Sequence, residues 1–193
     1  TALPLTMVLC DYLLYYPSID DSVLGEQVMD NTVTLPRYTD GDGVQVIAVS
    51  VAGRTGGARF YFTYTNSEGV SGRTSQICYQ NNAAALGTLQ NSGANNNASA
   101  MPFVGLQNGD SGVRSIDSVF MLDADVGLMT LVLVKPLGTS VIREITSPAE
   151  KDYFLESGTV PRIYDDAYLS FLCLPQGTLA ATALMGDIKT IFT

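Results

Sequence analysis

The side chains best equipped for chemistry in this chain are carboxylates in close pairs: Asp20/Asp21, Asp40/Asp42, Asp123/Asp125 and Asp165/Asp166. Such pairs suit two tasks. Calcium takes roughly six to eight oxygen ligands, often from acidic loops. Glycoside hydrolysis needs an acid and a base facing each other across a cleft. Asp40-Gly-Asp-Gly43 begins like a calcium loop but lacks the later ligands and closing Glu of an EF-hand. It reads as a turn with solvated carboxylates, with calcium an open alternative. Sugar-cleaving sites usually carry aromatic platforms, and the chain has no Trp.

Other chemistry finds less material. There is no histidine, which excludes Ser-His-Asp and Cys-His catalysis and any His-ligated metal within this chain. A Ser-Lys arrangement would draw on Lys135, Lys151 or Lys189, and no Ser-x-x-Lys occurs. Gly53-Arg-Thr-Gly-Gly57 matches neither phosphate-binding glycine motif. Cys10, Cys78 and Cys173 are widely spaced and odd in number, which predicts buried free thiols. The sequence therefore offers no catalytic residue, no metal ligand set and no cofactor, and the expectation is a non-enzyme.

Charge narrows the partners. Ten basic residues against nineteen acidic ones give a net charge of −9, with no cationic cluster to displace counterions from a phosphate backbone. Nucleic acid and anionic membrane surfaces are not expected partners. No run reaches the ~18–20 apolar residues that span a bilayer. Charged residues make up only 15% of the chain, which suggests a surface partly covered by neighbours.

The elements that would position these groups are strands. The 193 residues suit one domain. Arg114–Leu122 and Leu128–Pro136 read as a central β-hairpin around Asp123-Ala-Asp-Val-Gly127, with the second arm covered on both faces and Pro136 either ending it or sitting at its edge. Leu5–Tyr16 reads as a strand on its β-branched residues and tyrosines, although its length would also suit a helix, and Pro17 and the Asp20-Asp21 pair close it. Val44–Val51 is a buried strand. Ala58–Thr65 puts Phe60, Phe62 and Tyr64 on one face and Arg59, Tyr61 and Thr63 on the other. Arg73–Tyr79 should be a sheet edge or a face to solvent. Ser140–Thr146 is a further strand, and Ser147 caps a short helix that starts at Pro148. Ala167–Leu174 is an apolar strand stopped by Pro175. In Gly186–Phe192, Ile188, Thr190 and Phe192 face one way and Asp187, Lys189 and Ile191 the other. The fold expected is all-β: a single-domain antiparallel β-sandwich over residues 1–193, with one short helix and long loops. Jelly-roll connectivity is left open. Residues 1–40 are an arm-like candidate, and 81–100 a long Asn/Ala/Gly-rich loop of the kind that is functional or mobile, with an intermolecular contact as one way to order it. Candidate interface residues are Tyr12, Tyr15, Tyr16, Asn95, Asn96, Asn97 and Arg162, with Thr1–Asn31 and Asn81–Ala100 as the contact segments.

Several blocks carry a resemblance. Leu35-Pro-Arg-Tyr-Thr-Asp-Gly41, Ile142-Arg-Glu-Ile-Thr146, Pro161–Pro175 and Met185-Gly-Asp-Ile-Lys189 resemble a group of tailed-bacteriophage virion structural proteins. That resemblance implies a part of the particle, foremost a head decoration or cement protein, made in the bacterial cytoplasm and sited on the capsid surface. It implies a homo-oligomer, with a trimer the first guess, bound to the major capsid protein. Tail-tube, connector or fibre-associated roles are the alternative, and a glycan-binding module is a more distant one.

Overall fold

The computed structural model of the chain describes residues 3–82, 86–90, 102–157, 160–177 and 183–191. It is an antiparallel β-sandwich with one short helix. The strands are β1 (Leu5–Asp20), β2 (Gly25–Val28), β3 (Gln45–Ser50), β4 (Arg59–Asn66), β5 (Arg73–Thr74), β6 (Cys78–Tyr79), β7 (Val113–Met121), β8 (Leu128–Ile142) and β9 (Leu169–Pro175), with α1 at Tyr153–Ser157 before β9. The front sheet runs β3-β8-β1-β9; the back sheet runs β2-β7-β4-β5, with β6 also on β4.

The expected hairpin is not one. β7 pairs with β2 and β4 in the back sheet, and β8 pairs with β1 and β3 in the front sheet. The connector 123–127 therefore carries the chain from one sheet to the other. Its carboxylates hold that crossing. Asp123 takes Arg59 in a two-point pair, and Asp125 accepts from the Thr55 hydroxyl and from the backbone N–H of Thr55, Gly56 and Val126. Gly127 is required there: its φ is +118°, and a Cβ would press on the Gly53 carbonyl.

The sandwich core follows from strand alternation. In β4 Phe60, Phe62 and Tyr64 are fully buried, as their period-2 spacing predicts. They meet Val119 and Met121 of β7 and, across the layers, Leu131 and Leu133 of β8, Val46 of β3 and Leu13, Tyr16 and Ile19 of β1. A smaller cluster lies on the other face of the front sheet: Val8, Cys10, Ile47, Val134 and Leu172.

Several boundaries move. β1 does not stop at Pro17; a bulge between Tyr16 and Ile19, with Ser18 at φ +63°, absorbs the proline and keeps both flanking side chains inward. Nor is Leu5–Asp20 an arm, because it lies between β8 and β9. Pro136 does not end β8, and Ser140–Ile142 is its continuation. β3 stops opposite Val134, and the β1 register slips beside Pro136, so a residue without an N–H is tolerated there. Residues 73–79 form two short pieces on the outer side of β4, the sheet edge expected of them. Ser147 does not cap the helix, which begins at Tyr153: Asp152 accepts from the N–H groups of Phe154 and Leu155, and the Glu156 carboxylate accepts from the Asp152 N–H. Residues 183–191 carry no strand. Within the long loop, residues 86–90 bond to the outer edge of β3 through Gly87, Thr88 and Gln90.

Candidate interaction surface

The front sheet is longer than the back sheet. The back sheet faces β3, the first part of β8 and the second half of β1. Beyond them a three-stranded extension remains, made of Leu5–Asp11, Lys135–Ile142 and β9. Loops cover one face of it. Tyr153 of α1 lies directly on Gly138, where a Cβ would land on the phenol ring, so only glycine leaves room for the helix.

A buried ion pair pins the loops down. Asp11, fully buried on β1, accepts from Arg37 Nε and Nη2 at 2.7 Å each and from the Tyr168 N–H at 2.9 Å. Arg37 also donates to Asp166 and to the Tyr12 carbonyl. One carboxylate thus joins β1, the loop before β3 and the loop before β9. Its two-point geometry and extra donor supply what a desolvated ion pair needs.

Tyrosines surround this pin. Tyr12 and Tyr168 sit with ring centroids 6.1 Å apart, and Tyr38 meets Tyr164 edge-on at 5.2 Å. Arg162 stacks over Tyr164 and Lys135 over Tyr38. Burial, then the Asp11 carboxylate, push the Tyr38 phenol up to about 12. Tyr12, Leu13, Leu14, Tyr15, Thr130, Val132 and Tyr168 line an open, mainly apolar groove of about 390 Å³.

The interface candidates part company here. Tyr15 is exposed, and Tyr12 is half-buried on the groove wall. Tyr16 is inside the sandwich core at 2% exposure, its hydroxyl donating to Asn31 and accepting from the Ile116 N–H, so it is removed from any partner surface. The register slip between Tyr12 and Leu14 explains the split. Leu13 is the extra residue, and past it the side chains change face. Arg162 holds Tyr164 and, through its carbonyl, the Tyr38 hydroxyl. Asn95, Asn96 and Asn97 lie outside the described residues. Sequence reasoning missed Asp11, Arg37, Tyr38 and Tyr168 as a unit. A single Asp inside an otherwise apolar strand was the one local signal.

Several other carboxylates are also occupied. Asp110 accepts from Arg73, Tyr64 and Asn66, and these donors, Arg73 first, hold it down to about 2. Asp21 and Arg54 form a second fully buried pair at 3.0 Å, with Gln80 on the same carboxylate. Burial raises the Asp21 pKa and lowers that of Arg54. Asp42 accepts from Ser111, and Asp40 from the Asp42 N–H, as turn residues do. Among the described residues no group of three or more His, Cys, Asp or Glu side chains is placed to hold a metal ion. Cys10, Cys78 and Cys173 are free; the first two are buried, and burial pushes both thiols up to about 12. No family model, curated protein or solved structure matches the chain.

Proposed function

We propose that the chain is a non-enzymatic structural protein of a tailed-phage virion, a decoration or cement protein that binds the assembled head lattice. The observation that carries this reading is the extension of the front sheet. It and the segments leading from it expose large apolar side chains: Tyr15, Tyr168, Phe171, Ile145, Phe154 and Met185. Exposed apolar side chains of this size are the material from which contact surfaces are built.

Three further points support the reading. The carboxylates described above are tied to arginines, side-chain hydroxyls and amides, or backbone donors, which suits structural pins better than proton transfer. The strand order also fits: 2-7-4-5 in one layer and 3-8-1 in the other, with Leu89 bridged to the free side of β3 in the fourth place. That alternation matches a jelly roll with β9 added, an architecture used by viral capsid and lectin domains. The sequence blocks point the same way. A cement protein stabilises by mass action, binding the lattice and not its dissociated parts. It needs an interface of about 1,000 Å² or more. Its partners in this reading are copies of itself, with a trimer proposed, and the major capsid protein.

Light scattering with and without undecorated capsids tests the proposal. A small oligomer that moves into the capsid fraction is the expected result. A ring of about six or twelve subunits that ignores capsids would replace it with a tail or connector role. The tyrosine groove favours one second reading, a glycan contact; binding of soluble oligosaccharide lost in Tyr12→Ala would support it.

A further inference from the structure

β9 is an open strand edge. Tyr12 N–H donates to the Tyr168 carbonyl, and Gln176 N–H to the Pro4 carbonyl, which frames the β1–β9 ladder. Residues 170, 172 and 174 therefore turn their backbone groups to β1, and Leu169, Phe171 and Cys173 turn theirs outward. Among the described residues no segment bonds to that outer side. The strand Leu-Ser-Phe-Leu-Cys-Leu-Pro carries no charge, and Phe171 is exposed. Edges of soluble monomers are usually blunted by charge, bulges or cover. This one has only its terminal Pro175.

A fitting occupant is in the same chain. Residues 183–191 form no strand and are exposed throughout, with Met185 at 97% and Ile191 at 79%. Gly186–Ile191 has the alternation of a strand, and its Asp187 and Lys189 cancel in charge. Extended, nine residues span roughly 30 Å and the seven of β9 roughly 23 Å, so the segment can cover the whole edge.

We infer that residues 183–191 of one copy add as a strand to the outer edge of β9 in a second copy. The inference deepens the structural-protein reading and rests on it for the meeting of copies. Main-chain hydrogen bonds from Leu169, Phe171 and Cys173 supply the affinity, and Phe171 beside Ile188 or Ile191 supplies apolar contact. Because the arm and the edge are different surfaces, the contact is head-to-tail. It closes into a ring when each copy both gives and receives.

Two variants separate the halves of this contact. Deleting 183–191 removes the arm and keeps the edge. Phe171→Pro removes an outward N–H, spares the β1 ladder and keeps the arm. Sedimentation velocity should show the intact chain associated and each variant monomeric. Mixing the two should give a one-to-one heterodimer, since one supplies the edge and the other the arm. That outcome also shows that the deleted chain keeps a competent edge and the proline variant a competent arm. No heterodimer on mixing, or full association of the deleted chain, overturns the inference. So does amide exchange at Leu169, Phe171 and Cys173 whose protection ignores protein concentration, because the edge is then covered from within. Capsid co-sedimentation reads the other proposal separately. Association through β9 without capsid binding keeps this inference and overturns the decoration role; capsid binding by a chain that stays monomeric does the reverse.

Discussion

Replacing Arg37 by Met should cost far more than a surface ion pair, and adding Asp11→Asn should then recover part of the loss. Asp11 is fully buried and Arg37 nearly so. At an effective dielectric near 20, two charges about 4 Å apart attract by about 4 kcal/mol. Desolvation offsets much of that, so the pair itself contributes little net stability. The single substitution is different: it leaves a carboxylate inside the protein with only the Tyr168 N–H to satisfy it. Orphaning one member of a buried pair costs about 3–5 kcal/mol. Asp11→Asn alone leaves Arg37 with Asp166, whose side chain is 69% exposed, and the Tyr12 carbonyl. That variant should lose about 2 kcal/mol, the scale of one charged hydrogen bond. In the double variant the amide oxygen introduced by Asp11→Asn still accepts from the Tyr168 N–H, and no charge is buried. It should therefore be more stable than Arg37→Met by about 1–2 kcal/mol. Urea unfolding followed by circular dichroism measures all four corners of the cycle. A loss under about 1 kcal/mol for Arg37→Met is what an exposed pair would give. That result, or a double variant no better than the single one, would rule out a desolvated Asp11–Arg37 pair.

Two further predictions concern the loops. Asp110 is held below its ordinary 3.8, at about 2, by Arg73 first and then by Tyr64 and Asn66. Because the folded-state value is the lower one, this stabilisation is complete above about pH 4 and is lost as pH falls towards 2. The full shift corresponds to about 2.4 kcal/mol, and screening around the partly exposed Arg73 trims it to about 1–2 kcal/mol. Asp110→Asn should lack that increment at pH 7 and converge on the parent near pH 2 in pH-dependent urea titrations; parallel curves would count against the assignment. Gly138→Ala puts a methyl on the Tyr153 ring, so α1 should lift from the sheet at a local cost of about 1–3 kcal/mol. Amide exchange across 151–157 should quicken while β4 and β7 stay protected; unchanged protection of α1 would show that the ring moves aside freely.

The fold class and most strands are legible in the chain, because one buried face per strand writes its period into the residues. Phe60, Phe62 and Tyr64 alternate with Arg59, Tyr61 and Thr63, and the structure buries the first set. The apolar run in β3 and the stop at Pro175 were legible for the same local reasons. What the tertiary structure decided was which strands meet. A five-residue connector with Asp123, Asp125 and Gly127 suits a hairpin and a crossing between sheets alike. The choice falls to β8, whose two apolar faces need a place between β1 and β3, while β7 completes the other layer beside β4. The same holds for the tyrosines: period-2 reading puts Tyr12 and Tyr16 on one face, and one extra residue in β1 sends them to opposite faces. The pin is the clearest case. Asp11 finds Arg37 across 26 positions and Tyr168 across 157. Such separations leave no local trace, because partners that far apart are chosen only when the sheets close and exclude water.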